Sequence, residues 1–219
     1  MGIVSTPKAS DRVSAVINFY GEKGMNGLAE PIYVGLPTRD GQGQIASLAE
    51  LWMLGTYLKR TIHFLVGEAG NIPRSRNRVV EEARKHLPNA ETAWILWVDS
   101  DIVLPPGAHR ALGEAINWSE ATQMAWAANY HMADGTNVTM KDRSITEAYH
   151  YTDAELAGLS EYAPIGMSGF GCCYLPINLN YVFHADVVGE DVHFFLDHPN
   201  LKIYYAKDIN VKHKKLVAL

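Results

Sequence analysis

The chain has 219 residues, 47% of them hydrophobic, which is ordinary for a globular protein and enough to bury one sizeable core. A formal net charge of -5 argues against a general binder of nucleic acid, which presents a basic surface, while a nucleotide held through a cation stays compatible. No run approaches the roughly 20 apolar residues of a membrane span, and the opening MGIVSTPKASDR has no apolar signal core, so a cytoplasmic protein without an integral membrane segment is expected. The two cysteines, Cys172 and Cys173, are adjacent; they read as reduced thiols buried in a strand.

In chain order, residues 1–30 read as an N-terminal extension. Within it Val13, Val16, Ile17 and Tyr20 recur at helical spacing after Ser10-Asp11. From Pro31 the pattern sharpens. Ile32 to Leu36 reads as a strand and Pro37-Thr38-Arg39-Asp40-Gly41 as the loop after it. Ile45, Leu48, Leu51, Trp52, Gly55 and Leu58 mark one helix face. A strand from Ile62 to Val66 follows, then a helix from about Pro73 to His86, rich in Arg and Glu. Ala93 to Val98 reads as a buried strand, Ala108 to Ile116 as a helix and Ala121 to Tyr130 as another strand. Strand and helix alternate over short loops, the signature of a mostly parallel α/β sheet. The regularity fails over 131–187, where short β-like pieces and Gly-rich spots replace it; mobility is expected around Asn178 to Val188. A helix from Glu190 to His198, a strand from Leu201 to Tyr205 and a β-like segment ending near His213 complete the chain. Trp118 and Trp126 suit either core or interface, and the oligomeric state is left open.

The most informative stretch runs from Ala93 to Pro105, where an apolar run ends in Asp99-Ser100-Asp101 and a Pro-Pro-Gly turn follows. Ligands of open α/β sheets bind beyond the carboxyl ends of strands, so both carboxylates belong where a ligand sits. Two acids so placed repel each other unless a cation neutralises them, and hard oxygen ligands suit Mg²⁺ or Mn²⁺ bridging to phosphate.

Three other clusters fall at expected strand or helix ends. Thr38-Arg39-Asp40 follows the first strand and is read equally well as a turn or as a nucleotide contact. In Pro73-Arg74-Ser75-Arg76-Asn77-Arg78, three arginines open a helix; Arg74 and Arg78 suit a solvated face beside Glu81 and Glu82, which leaves Arg76 and Asn77 as the functional pair. Gly189-Glu190-Asp191 starts a helix, where acids are favoured and where a cleft-facing carboxylate can act as a general base. His213 is a candidate third ligand beside the Asp pair. The Gly-rich Gly166-Met167-Ser168-Gly169-Phe170-Gly171 does not match a phosphate loop and reads as close backbone approach beside a site.

The order of the segments VGLPTRDG, IPRSRNRVVEEA, WILWVDSDIVLPPG, GFGCCYL and GEDVHFFLDHPNLKIYYAKDINVKH resembles a GT-A-fold glycosyltransferase, close to the family 2 type and to the compact forms of some viruses and phages. The likeness covers about residues 31–213. It implies a single Rossmann-like domain over 31–219, with a nucleotide-binding half at 31–130 and an acceptor-side half at 131–219. The resemblance further implies that Thr38, Arg39 and Asp40 line the nucleotide pocket and that Arg76 and Asn77 face the nucleotide or donor sugar. By the same resemblance Asp99 approaches the ribose or sugar, Asp101 and His213 hold Mn²⁺ or Mg²⁺, and Asp191 is the base of an inverting enzyme. Gly169 and Glu190 are possible substrate contacts. The implied donor is a UDP- or GDP-sugar and the acceptor is unassigned. The family's Q-x-x-R-W motif of processive synthases is missing from this sequence. Two alternatives stand beside this reading: a metal-dependent nucleotidyltransferase, and a non-catalytic nucleotide- or glycan-binding module.

Overall fold

The structure is a computed structural model that describes residues 30–38, 45–132, 134–143, 149–184 and 189–214. The expected helix around Val13 to Tyr20 and the candidate residues Arg39 and Asp40 lie outside the described residues. Nine strands and five helices follow one another among the described residues: β1 (Ile32–Thr38), α1 (Ile45–Leu58), β2 (Ile62–Glu68), α2 (Ile72–His86), β3 (Thr92–Val98), β4 (Ile102–Val103), α3 (Ala108–Thr122), β5 (Ala125–Ala127), α4 (Asp153–Gly158), β6 (Ala163–Ile165), β7 (Cys172–Asn178), α5 (Glu190–Asp197), β8 (Ile203–Tyr205) and β9 (Lys212–His213).

Seven of the strands form one sheet in the order β2-β1-β3-β7-β5-β8-β6. The pairings give β2, β1, β3, β5 and β8 a common direction and reverse β7 and β6, so the α/β sheet is mixed and mostly parallel. Helices cover both faces. The side chains of β3 divide between them: Ile95 and Trp97 enter one apolar cluster with Val79, Val80 and Ala83 of α2 and Phe194 and Phe195 of α5, while Leu96 and Val98 enter the other with Leu51 and Leu54 of α1 and Leu112 and Ile116 of α3. A strand buried on both faces must be apolar at successive positions, which accounts for the unbroken Trp94 to Val98 run.

Three expectations are revised. β1 continues through Pro37 and Thr38, where a loop was expected. Its pairing with β3 stops at Gly35 while its pairing with β2 runs on to Thr38, so the proline sits where only one side of the strand is paired. The stripe expected for α1 is rotated: Leu48 and Trp52 are exposed, whereas Ser47, Glu50, Leu51 and Leu54 are buried. Polar contacts turn the helix, because Ser47 Oγ donates to Ile102 O (2.7 Å) and accepts from Leu104 N (3.0 Å). Glu50 accepts from the Gly107 and His109 amides at 3.0 and 3.1 Å, capping α3 from outside. Finally, the segment expected as a strand from Ala121 to Tyr130 begins inside α3; Gln123 in the left-handed conformation ends that helix, and only Ala125–Ala127 is strand. No helix among the described residues is long and apolar enough to cross a membrane.

Candidate active site

The chain leaves β1 for β2 on one side of it and returns to β3 on the other. Such a switch opens a crevice at the carboxyl ends of β1 and β3, the usual ligand position in an open α/β sheet. Asp99 follows β3 directly, and its amide donates to Gly171 O (2.9 Å), the residue that leads into antiparallel β7. The Ile102 amide donates to Asp99 O at 3.0 Å, closing a turn over Asp99-Ser100-Asp101. β4 then pairs with β9, setting Ile102 opposite His213, and the Lys214 amide donates to Asp101 O (2.7 Å). Two residues 112 apart in sequence are thereby brought together: His213 Nε2 lies 2.9 Å from Asp101 Oδ2.

Arg76 is the centre of the cluster. It enters from the first turns of α2, whose N-cap Asn71 accepts from the Arg74 amide, and only 2% of it is exposed. Two guanidinium nitrogens lie 3.1 Å from the two Asp99 oxygens, and Nε donates to Glu190 Oε1 at 3.0 Å. The Nη1–Oδ1 approach is an ion pair without hydrogen-bond alignment, since both atoms lack a hydrogen-bond partner. The guanidinium also lies over Phe170 (5.0 Å) and Trp97 (5.5 Å), where cation–π attraction replaces part of its lost hydration. Burial opposes its charge, but Asp99 and Glu190 outweigh burial and hold its pKa above the ordinary arginine value. For Asp99 burial dominates; it raises the carboxyl's pKa, with Arg76 opposing and Asp101 adding to the rise.

Glu190 and Asp191 form the first turn of α5. The Gly189 φ of 87° is the left-handed value a glycine tolerates, and a Cβ there would meet Asp191 Oδ1 at 2.9 Å. Asp191 Oδ1 accepts from the Val192 amide (2.9 Å). Burial, then the Glu190 charge, push the Asp191 carboxyl up to about 6, against the pull of Arg76. Within this site Asp191 is thus a carboxylate poised to take a proton near neutral pH.

The structure brings Arg76, Asp99 and Glu190 into direct contact, couples Asp191 to them electrostatically, and brings Asp101 to His213. Thr38 is buried at the end of β1, and its carbonyl accepts from Ser75 Oγ (2.9 Å) and the Ala69 amide (3.1 Å). Asn77 does not face the cluster. Its amide group clamps the Phe183 backbone, donating to the carbonyl (3.0 Å) and accepting from the amide (2.7 Å). Phe183 is buried, so the part of the expected mobile segment through Phe183 is anchored; residues 185–188 lie outside the described residues. Arg78 pairs with Glu81 (2.8 Å) on the solvated face, as its position suggests.

Tyr130 was not singled out from the sequence. It is the last of the residues that leave β5, and its hydroxyl accepts from the Gly171 amide (3.1 Å). Its ring stacks on the His213 imidazole, with centroids 5.6 Å apart and planes at 28°. Gly169 and Gly171 make room for it: a Cβ at either would come within 2.4 and 2.6 Å of the phenol. The Gly-Phe-Gly run in the sequence is the signal that a bulky neighbour approaches here.

Among the described residues no three His, Cys, Asp or Glu side chains converge in a metal-binding arrangement. Asp101 and His213 supply a carboxylate and an imidazole side by side, and His213 Nδ1 is buried without a hydrogen-bond partner. Two protein donors fit a cation of the Mg²⁺ type that takes its remaining ligands from phosphate oxygens and water.

No family model and no curated protein matches the chain. Among solved structures it is similar to A197 from STIV, with a TM-score of 0.50 at 10% identity over 87% of this chain and 97% of that one. A glycosyltransferase involved in the glycosylation of the major capsid of PBCV-1 aligns with a TM-score of 0.42 at 12% identity, over 86% of this chain and 96% of that one. Fold and site define an α/β protein with a cluster of acidic side chains about Arg76 at the strand ends, and the likeness to A197 from STIV, at 10% identity, is one of fold.

Proposed function

We propose that this chain is a metal-dependent glycosyltransferase of GT-A type that moves a sugar from a nucleotide-diphosphate sugar to an acceptor hydroxyl with inversion. The observation that carries the reading is the gathering of Asp99, Glu190 and Asp191 about one buried arginine, with the Asp191 carboxyl pushed up to about 6 and with Asp101 and His213 in contact just past Asp99. A buried carboxyl of raised pKa within a charge cluster is a feature of sites that move protons.

In this proposal Asp101 and His213 hold Mn²⁺ or Mg²⁺, which would supply Lewis-acid stabilisation of the departing diphosphate. Asp191 takes the proton of the acceptor hydroxyl as that oxygen attacks the anomeric carbon from the face opposite the leaving group. The logic is that of one base activating one nucleophile in inverting sugar chemistry. Arg76 holds Asp99 and Glu190 in place and opposes the rise that burial imposes on the Asp99 carboxyl. Residues 31–130 form the nucleotide side and 131–219 the acceptor side, with a UDP- or GDP-sugar as donor.

The test is turnover of Asp191→Asn. General-base catalysis contributes typically 10²–10⁴-fold, so the loss is expected in that range with donor affinity retained. The wild-type kcat/KM should rise with pH through about 6, where Asp191 loses its proton, and then level off. An Asp191→Asn variant with wild-type turnover removes the base from the mechanism.

A further inference from the structure

At the amino ends of β1 and β2, opposite the crevice, three rings meet that the proposed reaction does not use. Tyr33 and His63 are register partners on adjacent parallel strands, so their side chains rise from the same face of the sheet. α2 covers that face, and His86 in its last turn reaches both. The His63 and His86 imidazoles stand edge to face, with centroids 5.3 Å apart and planes at 85°. The Tyr33 ring lies 5.4 Å from His63 and 6.4 Å from His86 and walls the pair on one side. His63 Nδ1 is buried and has no hydrogen-bond partner. Ring packing alone would account for the spacing, but it does not account for a buried ring nitrogen left unpaired, which costs free energy. With metal–nitrogen bonds of about 2.0–2.1 Å and tetrahedral angles, two imidazoles on one Zn²⁺ hold their centroids about 5–5.5 Å apart. The carbonyl end of a helix also favours a cation. The other basic residues of that turn have partners of their own, Arg84 at Leu179 O and Lys85 at Glu82.

We propose that His63 and His86 form a transition-metal site of their own, taking Zn²⁺ through one ring nitrogen each. Both residues are half-buried, so solvent reaches the pair and water fills the remaining positions. Paired imidazoles select Zn²⁺ and its neighbours over Mg²⁺, which sets this pair apart from the carboxylate and imidazole of Asp101 and His213. The ion ties β2, an edge strand paired on one side only, to the end of α2. Its role is structural, and it does not depend on the proposed function.

The test is a Zn²⁺ titration of the full chain at about pH 7.5, where free imidazoles are mostly neutral. It is followed by NMR of the imidazole nitrogens and by calorimetry, on wild type, His63→Gln and His86→Gln. The expected result in wild type is that one equivalent of Zn²⁺ moves the ring signals of His63 and His86 together. Each glutamine variant should lower the affinity of that site at least about tenfold and leave the remaining histidine's signal in place. Saturating Zn²⁺ should also raise the Tm of wild type, and this rise should disappear in both variants. Signals of His63 and His86 that stay unmoved while Zn²⁺ binds elsewhere, at His213 for example, overturn the inference. So does a site whose affinity stays within threefold of wild type in both variants. Where a variant fails to fold, the wild-type spectrum decides alone, because it needs no substitution.

Discussion

Replacing Asp191 by Asn should make the protein more stable at pH 8 while it removes turnover, and the two effects have one cause. The Asp191 carboxyl is moved from its ordinary 3.8 to about 6, first by burial and then by Glu190. Ionising a group whose pKa is raised in the fold costs stability. Between pH 4 and pH 6 the unfolded chain has already released the proton and the folded chain still holds it, so wild-type stability falls as pH rises across that window. Above pH 6 the loss is complete. Two units at 1.36 kcal/mol each make it about 3 kcal/mol, an upper figure because solvent relaxation reduces it. Asn keeps an oxygen to accept from the Val192 amide and carries no charge, so it escapes this penalty. For a chain of this size 3 kcal/mol corresponds to about 6–12 °C in Tm. Thermal unfolding of both proteins from pH 4 to pH 8 is the assay. The variant's advantage should grow through pH 4–6 and stay constant above. A variant less stable than wild type by the same margin at every pH refutes the burial argument for Asp191.

Two further substitutions test the cluster. Arg76→Ala strands the Asp99 and Glu190 carboxylates beside each other; the expected cost is about 3–5 kcal/mol by urea unfolding at pH 8, shrinking toward low pH as the buried Asp99 carboxyl takes up its proton, and a pH-independent loss contradicts it. Asn77→Ala removes both hydrogen bonds to the Phe183 backbone, so it should cost about 1–3 kcal/mol and speed hydrogen exchange at the Phe183 amide at least tenfold; unchanged exchange there would show that other contacts hold the segment.

Much of the fold was legible because its strongest elements obey local rules. β3 is apolar at successive positions because helices cover both its faces, and the switch from Val98 to Asp99 falls where the strand leaves the core. The Glu190-Asp191 helix start could be anticipated from acids at a helix N-terminus, whereas the pairing of β4 with β9 that brings His213 to Asp101 left no local trace. What stayed hidden depends on contacts between residues far apart in sequence. The rotation of α1 is set by Ser47 and Glu50 reaching Ile102, Leu104 and the start of α3, more than 50 residues away, and periodicity carries no trace of such partners. Asn77 looked equivalent to Arg76 in sequence, yet one step along α2 turns its side chain toward Phe183 and away from the carboxylates. Tyr130 lies just past a three-residue strand, and only the paired glycines opposite it hinted that something large packs there. α4 is only six residues long, too short for a periodic pattern, and its one local signal is the capping box in which Thr152 and Glu155 satisfy each other's backbone amides.

The most direct test of the central claim is a thermal-shift panel of UDP, GDP, CDP, ADP and their sugars, each with Mn²⁺ and with a chelator. A ligand at about 100 times its Kd adds about 2.7 kcal/mol, several degrees for a chain of this size. The account predicts a shift of that size with one nucleotide diphosphate and its sugar, present with Mn²⁺ and abolished by the chelator or by Asp101→Ala. No shift with any nucleotide while Mn²⁺ is present, or a shift that the chelator and Asp101→Ala both leave intact, contradicts a metal-dependent nucleotide-sugar transferase.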